Sequence, residues 1–469
     1  MPADRLSRPA GVKPATGIVH LGLGAFFRAH GAIYIEEAMA ASGGDWGILG
    51  VSLQSPTARD ALNPQGGVYT ALELGPQGQT ARVVTSVQGV LVAPEDPGAV
   101  LARMADPAVR IVSLTITEKG YCHEPSTGRL NLLHPDIAHD LTHPLPRSAP
   151  GFLVRALALR HQAGIAPFTV LTCDNLPHNG KLVRGLVLDL ARAIDPSLAG
   201  WIEAEGRFPS TMVDRIVPAT KPEDIATVTA LTGFHDAAPV MHEPFRQWVI
   251  EDDFVSGQRP DLGKVGAQMV ADVAPYEFMK LRMLNGAHSS LAYLGYLAGH
   301  ETIADCMADP VFAGFVRGLW AQEIIPAVTA PPGVDLGAYA DALAARFANP
   351  GIRHRTWQIA MDGSQKLPQR ILGTLDAGLA AGLPMRGLCL AVAGWMRYAS
   401  GVDETGGAID VRDPMAARLA ALGQDTTAFL AVSEVFPAEL AARLAAPIAD
   451  AMQSLRDHGA RKAAERAFQ

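Results

Sequence analysis

The sequence predicts an α/β protein in two domains, a parallel-sheet domain over residues 1–270 and a mostly α-helical domain over residues 271–469. Three observations predict it. Strand-like and helix-like segments alternate through the first half, and a Gly-x-Gly turn follows the first apolar strand. From about Pro275 onward the strand patterns vanish and Ala/Leu-rich helical periodicity takes over. At 469 residues and 48% hydrophobic content, the chain is long enough to bury two sizeable cores.

In chain order, residues 18–21 read as a short apolar strand, Gly22-Leu-Gly24 as a tight turn, and residues 25–41 as a helix. Glycines in such a turn let backbone N–H groups approach a pyrophosphate at the helix N-terminus. Gly22, Gly24 and the following Phe26, Phe27 and Arg28 are therefore the candidate cofactor-binding residues, and the domain reads as Rossmann-type. Phe27 stands where the usual fingerprint has its third glycine, and a tight strand-to-helix turn with no ligand shares the local pattern.

Strands follow at 46–53, 68–74, 81–92, 110–116 and 168–173, with helices at 57–62, 99–104 and 152–162. Near-continuous apolar strands between helices indicate a parallel sheet covered on both faces. Ligands of such sheets collect at the carboxyl ends of the strands. Two polar clusters sit there, Glu118-Lys119-Gly120-Tyr121 and Asp174-Asn175-Leu-Pro-His178-Asn179-Gly180. Residues 211–218 form a strand-like run with an Asp214–Arg215 pair, readable as a structural ion pair or as part of a site.

Composition excludes several classes. The formal charge of −8 is spread along the chain, without the basic stripe a nucleic-acid surface needs. Cys122, Cys173, Cys306 and Cys389 lie far apart, which supports neither a disulfide framework nor a zinc cluster. Gly299-His300-Glu301 suggests a zinc motif, but no cysteine or histidine set at ligand spacing accompanies it, so no metal is expected. Residues 1–14 lack the apolar core of a signal peptide, and the longest apolar run, 387–396, is too short for a bilayer. A soluble cytoplasmic enzyme acting on a small molecule is expected.

The helical half opens with Lys280-Leu-Arg-Met-Leu-Asn285-Gly-Ala-His288. On an α-helix Asn285 lies about 140° and His288 about 80° around from Lys280, so the three polar heads can converge on one side. A base, an amide donor and an imidazole are what the oxidation of a secondary alcohol needs. Burial beside a positively charged nicotinamide would bring the lysine towards working pH, and amides from Asn285 and Asn175 would hold the developing alkoxide. A solvated lysine with two satisfied polar neighbours fits the same helix, and an Asn after a strand is commonly a turn residue. The Asp362-Gly363-Ser364-Gln365-Lys366-Leu-Pro368-Gln-Arg370 stretch adds cations that could meet a substrate carboxylate, hydroxyls or solvent.

With these residues stated, the chain resembles the mannitol dehydrogenase family of polyol-specific long-chain dehydrogenases, and within it the fructuronate reductases (mannonate oxidoreductases). The stretches that carry the resemblance are 18–30, 113–121, 211–218, 243–251, 279–286 and 354–370. It implies a Rossmann domain followed by a helical domain of the 6-phosphogluconate dehydrogenase-like kind, a site between them, and no zinc. It implies Lys280 as general base, Asn175 and Asn285 as oxyanion-hole amides, and His288 as a hydrogen-bond partner of the reacting oxygen. By the same resemblance Asp214 and Lys366 shape the substrate site and Glu118 lies on the proton path. NAD is the implied cofactor. NADP stays open, because Gln54, Ser55 and Pro56 follow the second strand where an acid would bind the ribose, and Arg59 could meet a 2′-phosphate.

Polyol dehydrogenases of the family often carry an Arg where this chain has Gln358, and the surrounding residues favour a sugar acid. The expected reaction is D-mannonate with NAD to D-fructuronate, with a mannitol or D-arabinitol 2-dehydrogenase as the alternative. A non-catalytic dinucleotide-binding regulator would need only the glycine-rich half. A monomer is common in the family.

Overall fold

The computed structural model describes residues 3–11, 13–124 and 127–469. Residues 1, 2 and 12 of the tail expected to carry no signal peptide lie outside the described residues, as do 125 and 126. The chain divides into two compact units, residues 1–274 and 275–469.

The first unit is built on five parallel strands: β1 (Thr16–Leu21), β2 (Gly47–Ser52), β3 (Val87–Val92), β4 (Ile111–Leu114) and β5 (Thr169–Thr172). Their order in the sheet is β5-β4-β1-β2-β3. This is the doubly wound order, with its switch point between β1 and β4. Every residue of β4 and β5 is buried, as expected where helices cover both faces and no polar alternation survives.

Two segments depart from the sequence reading. Residues 81–92 form two strands, Gly78–Val84 and β3, the first pairing antiparallel with Tyr69–Gly75 and the second parallel with β2. The corner between them is held by the Glu36 carboxylate, which accepts from the N–H groups of Thr85 and of Ser86 (2.8 Å). The helix at 25–41 also breaks, into α1 (Ala25–Ala29) and α2 (Gly31–Ser42). His30 leaves helical geometry (φ −129°, ψ −85°) and donates from Nε2 to the Gln247 carbonyl at 3.0 Å. Gly31 permits the bend, since a Cβ there would fall 2.5 Å from the Phe27 ring.

In the second unit the described residues form no strand, only the isolated bridges Thr302–Arg355 and Val402–Ala408. Its chain enters through α3 (Ala274–Met279) and a widened turn, and continues into α4 (Ala287–Leu297). α4 and the later α5 (Arg386–Ala399) are buried nearly all round, the mark of core helices. α6 (Ala438–Arg466) covers α5 with one stripe, Leu440, Leu444, Ile448, Met452 and Leu455, at helical spacing. Gly459 (φ 73°) interrupts α6, which is therefore two helical pieces.

Candidate active site

The two glycines of the first turn serve different ends. Gly22 has φ 85° and donates to the Val51 carbonyl at 2.8 Å, and a Cβ there would overlap the Thr115 carbonyl beyond β4. The fold itself therefore demands glycine at the β1/β4 switch point. Gly24 has φ −97°, is exposed, and no protein atom comes within 3.8 Å of where its Cβ would stand. Nothing in the protein asks for glycine there, whereas a ligand pressed against the backbone would. No side chain caps the α1 N-terminus. The turn thus fits the pyrophosphate of a dinucleotide.

Of the other residues expected at this turn, Phe26 is half-buried and stacks on His30 at 5.2 Å. Phe27 lies in the core, 3.5 Å from the His20 ring that bridges Ser113 (2.8 Å) and Thr115 (2.9 Å). Arg28 turns inward, donating to the Ala238 carbonyl at 2.5 Å and lying 5.2 Å from the Tyr69 ring. The break at His30 makes α1 barely more than one turn, and that turn packs Phe27 and Arg28 into the fold instead of presenting them outward. After β2, Arg59 is held by Asp60 (2.8 Å) and Glu95, so a 2′-phosphate would compete with two carboxylates for it.

At the carboxyl ends of β4 and β5, buried Asp174 joins the two loops. It accepts from Ile116 N–H (2.9 Å), Thr117 N–H (3.0 Å) and the Tyr121 hydroxyl (2.7 Å). Burial raises its carboxyl pKa against the pull of these donors. Thr117 is left in a left-handed conformation (φ 63°, ψ 165°), costly for a β-branched residue, and exposed Glu118 follows it. Asn179 fastens the same corner to Thr211, donating to its carbonyl and accepting from its N–H at 2.9 Å each. Asp174 and Asn179 thus build the loop and leave Asn175 exposed at its mouth.

Asp214 ends the buried strand Thr211–Asp214. The expected partnership with Arg215 is replaced by a clamp: Arg215 donates to the carbonyls of Glu243 (3.0 Å) and Ala29 (2.6 Å), with Glu73 at 4.0 Å. Neighbouring side chains on a strand point to opposite faces, which separates the pair.

In the second unit the helix carrying Lys280 is not a uniform α-helix. Lys280–Gly286 is π-helical, so the α-helical angles expected for Asn285 and His288 do not hold. In an i→i+5 turn the fifth residue along comes to lie over the first, which carries Asn285 towards the Lys280 side. The Trp320 indole N–H binds the Met283 carbonyl inside this segment at 2.9 Å. Gly286 lets a second π segment, Pro368–Leu372, approach, since a Cβ there would stand 2.7 Å from the Arg370 carbonyl. Lys280 is 9% exposed, and half-buried Asn285 makes no side-chain hydrogen bond among the described residues.

His288, in the first turn of α4, stacks on Phe347 at 4.9 Å and meets the His354 ring edge-on at 4.8 Å. Burial, reinforced by the charges of Arg370, Arg346 and Lys366, pushes its pKa well below the usual histidine value. Its imidazole is therefore held in the neutral form. The Lys366 ammonium binds the Met361 carbonyl at 2.6 Å and lies 3.8 Å from Asp362; burial and Arg370 lower its pKa. Arg370 donates to Ser289 Oγ at 3.1 Å.

The second unit thus carries Lys280 and Asn285 on one π turn and brings His288 within electrostatic reach of Lys366, while the first carries Gly22, Gly24, Glu118 and Asn175 around its strand ends. The sequence alone does not single out His354 or Ser289 as site residues, and it offers Arg370 only as one of the cations of the 362–370 stretch that could meet a substrate carboxylate, hydroxyls or solvent. Their only signal was membership of the stretch 354–370 and adjacency to His288. His300 of the zinc-like motif faces Asp309 at 3.4 Å, which Arg461 also binds, and no metal-holding group of His, Cys, Asp or Glu occurs among the described residues.

Two family models match the chain: the mannitol dehydrogenase Rossmann domain over residues 16–264 and the mannitol dehydrogenase C-terminal domain over residues 272–456. The chain is 49% identical over 459 residues to D-mannonate oxidoreductase of Escherichia coli strain K12, covering 95% of this chain and 94% of that protein. It superposes on mannitol 2-dehydrogenase of Pseudomonas fluorescens, solved as a ternary complex with NAD and D-mannitol, with TM-score 0.85, 39% identity and coverage of 99% and 96%. Against a substrate-free D-sorbitol dehydrogenase the TM-score is 0.91, at 35% identity and 98% coverage of both chains.

Proposed function

The chain belongs to the mannitol dehydrogenase family, and we propose that within it the protein interconverts D-mannonate and D-fructuronate with NAD. It is an NAD-dependent oxidoreductase acting on a CH–OH group of a linear polyol or sugar acid. Bound NAD supplies the hydride acceptor. On the proposed reading Lys280, in its neutral form, takes the proton of the substrate hydroxyl. The amides of Asn285 and Asn175 stabilise the developing alkoxide, and neutral His288 adds a hydrogen bond to the same oxygen. Asp214 and Lys366 shape the substrate site, and Glu118 passes the proton from Lys280 towards solvent.

The observation that supports this reading is a buried lysine and an asparagine on one π turn, with a buried imidazole two residues after it, in a chain whose other unit holds a turn that fits a pyrophosphate. The close likeness to D-mannonate oxidoreductase supports the sugar acid. The likeness to mannitol 2-dehydrogenase keeps a second reading, a polyol 2-dehydrogenase.

The test follows nicotinamide absorbance with NAD and D-mannonate, D-mannitol or D-arabinitol, and with NADH and D-fructuronate. Turnover of the polyols alone would overturn the sugar-acid reading. Lys280→Ala is expected to abolish turnover while leaving NADH binding intact, and full turnover in that variant would remove Lys280 from the role of base.

A further inference from the structure

The second unit holds a cation with no counter-charge among the described residues. Arg370 is half-buried on the π segment Pro368–Leu372, and its single hydrogen-bond partner among the described residues is the neutral Ser289 hydroxyl. Among the described residues no carboxylate pairs with it. Lys366, four residues earlier, has Asp362 and the Met361 carbonyl. Asp413 is bound by Ser364 N–H at 2.8 Å and Ser364 Oγ at 2.6 Å. A guanidinium removed from water without an anion is costly, and its bidentate edge is shaped for a carboxylate.

The surroundings add to that bias. Ser289 directly follows His288, so the Arg370 side chain is anchored one residue from the imidazole assigned to the reacting oxygen. His354, edge-on to His288, has a buried Nδ1 without a hydrogen-bond partner among the described residues. The Arg370 backbone abuts Gly286, next to Asn285. A neutral polyol would leave the Arg370 charge uncompensated in this arrangement, whereas a sugar acid would neutralise it.

We propose that Arg370 is the residue that selects a sugar acid over a polyol, by receiving the substrate carboxylate on the guanidinium edge that Ser289 does not occupy. The proposal rests on the sugar-acid reading above and names the group that produces it.

The test is calorimetric titration of the NADH-saturated full chain with D-mannonate and with D-mannitol, dead-end complexes that do not turn over. Arg370→Met is expected to lower the acid-to-alditol affinity ratio by about 100-fold, and Arg370→Lys, which keeps the charge without the fork, by about 10-fold. A structural role would weaken both ligands alike and leave the ratio unchanged. If Arg370→Met loses both ligands, Arg370→Lys and Ser289→Ala apply the same comparison. A ratio within about 3-fold of wild type in the variants that still bind, or no D-mannonate binding by wild type, overturns the assignment. Mannonate turnover separates the two claims. Wild type that binds mannonate through Arg370 without oxidising it sinks the proposed reaction alone, and oxidation with an unchanged ratio in the variants sinks Arg370 alone.

Discussion

Replacing each glycine of the first turn by alanine separates what the fold requires from what a cofactor requires. At Gly22 the change forces alanine to φ 85° and drives its methyl into the Thr115 carbonyl. The left-handed backbone alone costs about 1–2 kcal/mol, and the overlap adds to it. For a domain of this size the unfolding temperature would fall by roughly 5–10 °C. At Gly24 the backbone is extended and the methyl meets nothing closer than 3.8 Å. Stability should hold or rise by about 0.4–1 kcal/mol, through the entropy alanine removes from the unfolded chain.

The same methyl at Gly24 would occupy the space a pyrophosphate needs. Forcing one methyl into a filled contact costs about 1–3 kcal/mol, or about 5- to 150-fold in Kd. Thermal unfolding and fluorescence titration with NADH read the two quantities on the same samples. Gly24→Ala with wild-type NADH affinity would refute the turn as the pyrophosphate seat. Early unfolding of Gly24→Ala would refute the geometry from which the contrast is drawn.

Further expectations follow from buried groups. His20 and His30 are held neutral by burial with pKa values of about 3, against 6.5 when exposed. Between those values the unfolded chain binds protons that the folded chain does not, so stability is present above pH 6.5 and is lost as pH falls; at pH 5 each costs about 2 kcal/mol. Chemical unfolding at pH 7.5 and pH 5 should show a difference smaller by about 2 kcal/mol in His20→Asn, and an undiminished difference would refute the assignment to His20. Gly286→Ala would push the two π segments apart at Arg370. Turnover should fall at least about 10-fold with NADH affinity unchanged, and full turnover would show that this close approach is dispensable.

The parallel sheet was legible because its strands are apolar runs bounded by polar turns; β2, β4 and β5 fall within the expected ranges, and β1 begins two residues before its own. What escaped depends on partners distant in sequence. The corner at Thr85 and Ser86 exists because Glu36, nearly fifty residues earlier, satisfies both N–H groups. The break at His30 depends on a carbonyl at Gln247. The candidate site divides the same way. Lys280, Asn285 and His288 stand out as polar residues in an apolar segment, whereas Arg370 becomes informative only once its surroundings are known to hold no carboxylate for it. Asp174 and Asn179 look like candidates beside Asn175, but long-range hydrogen bonds commit them to the loop.

The π turn also accounts for an unfavourable feature of the segment. A widened turn has weaker backbone hydrogen bonds than an α-helix, and such turns are frequent where function requires them. Five residues along a regular α-helix would carry Asn285 about 140° away from Lys280, so the convergence expected there would need both side chains to reach far round the helix. Seven residues of π-helix turn Asn285 towards the Lys280 side, and α4 then resumes with His288 in its first turn. The cost is offset locally by the Trp320 bond to the Met283 carbonyl and by the packing of Met279, Met283 and Leu284 into the helical core. If Lys280 and Asn285 act on one alkoxide, the π turn is the feature that lets a single helix supply both groups. A variant that restores α-helical register here should therefore gain helix regularity and lose turnover together.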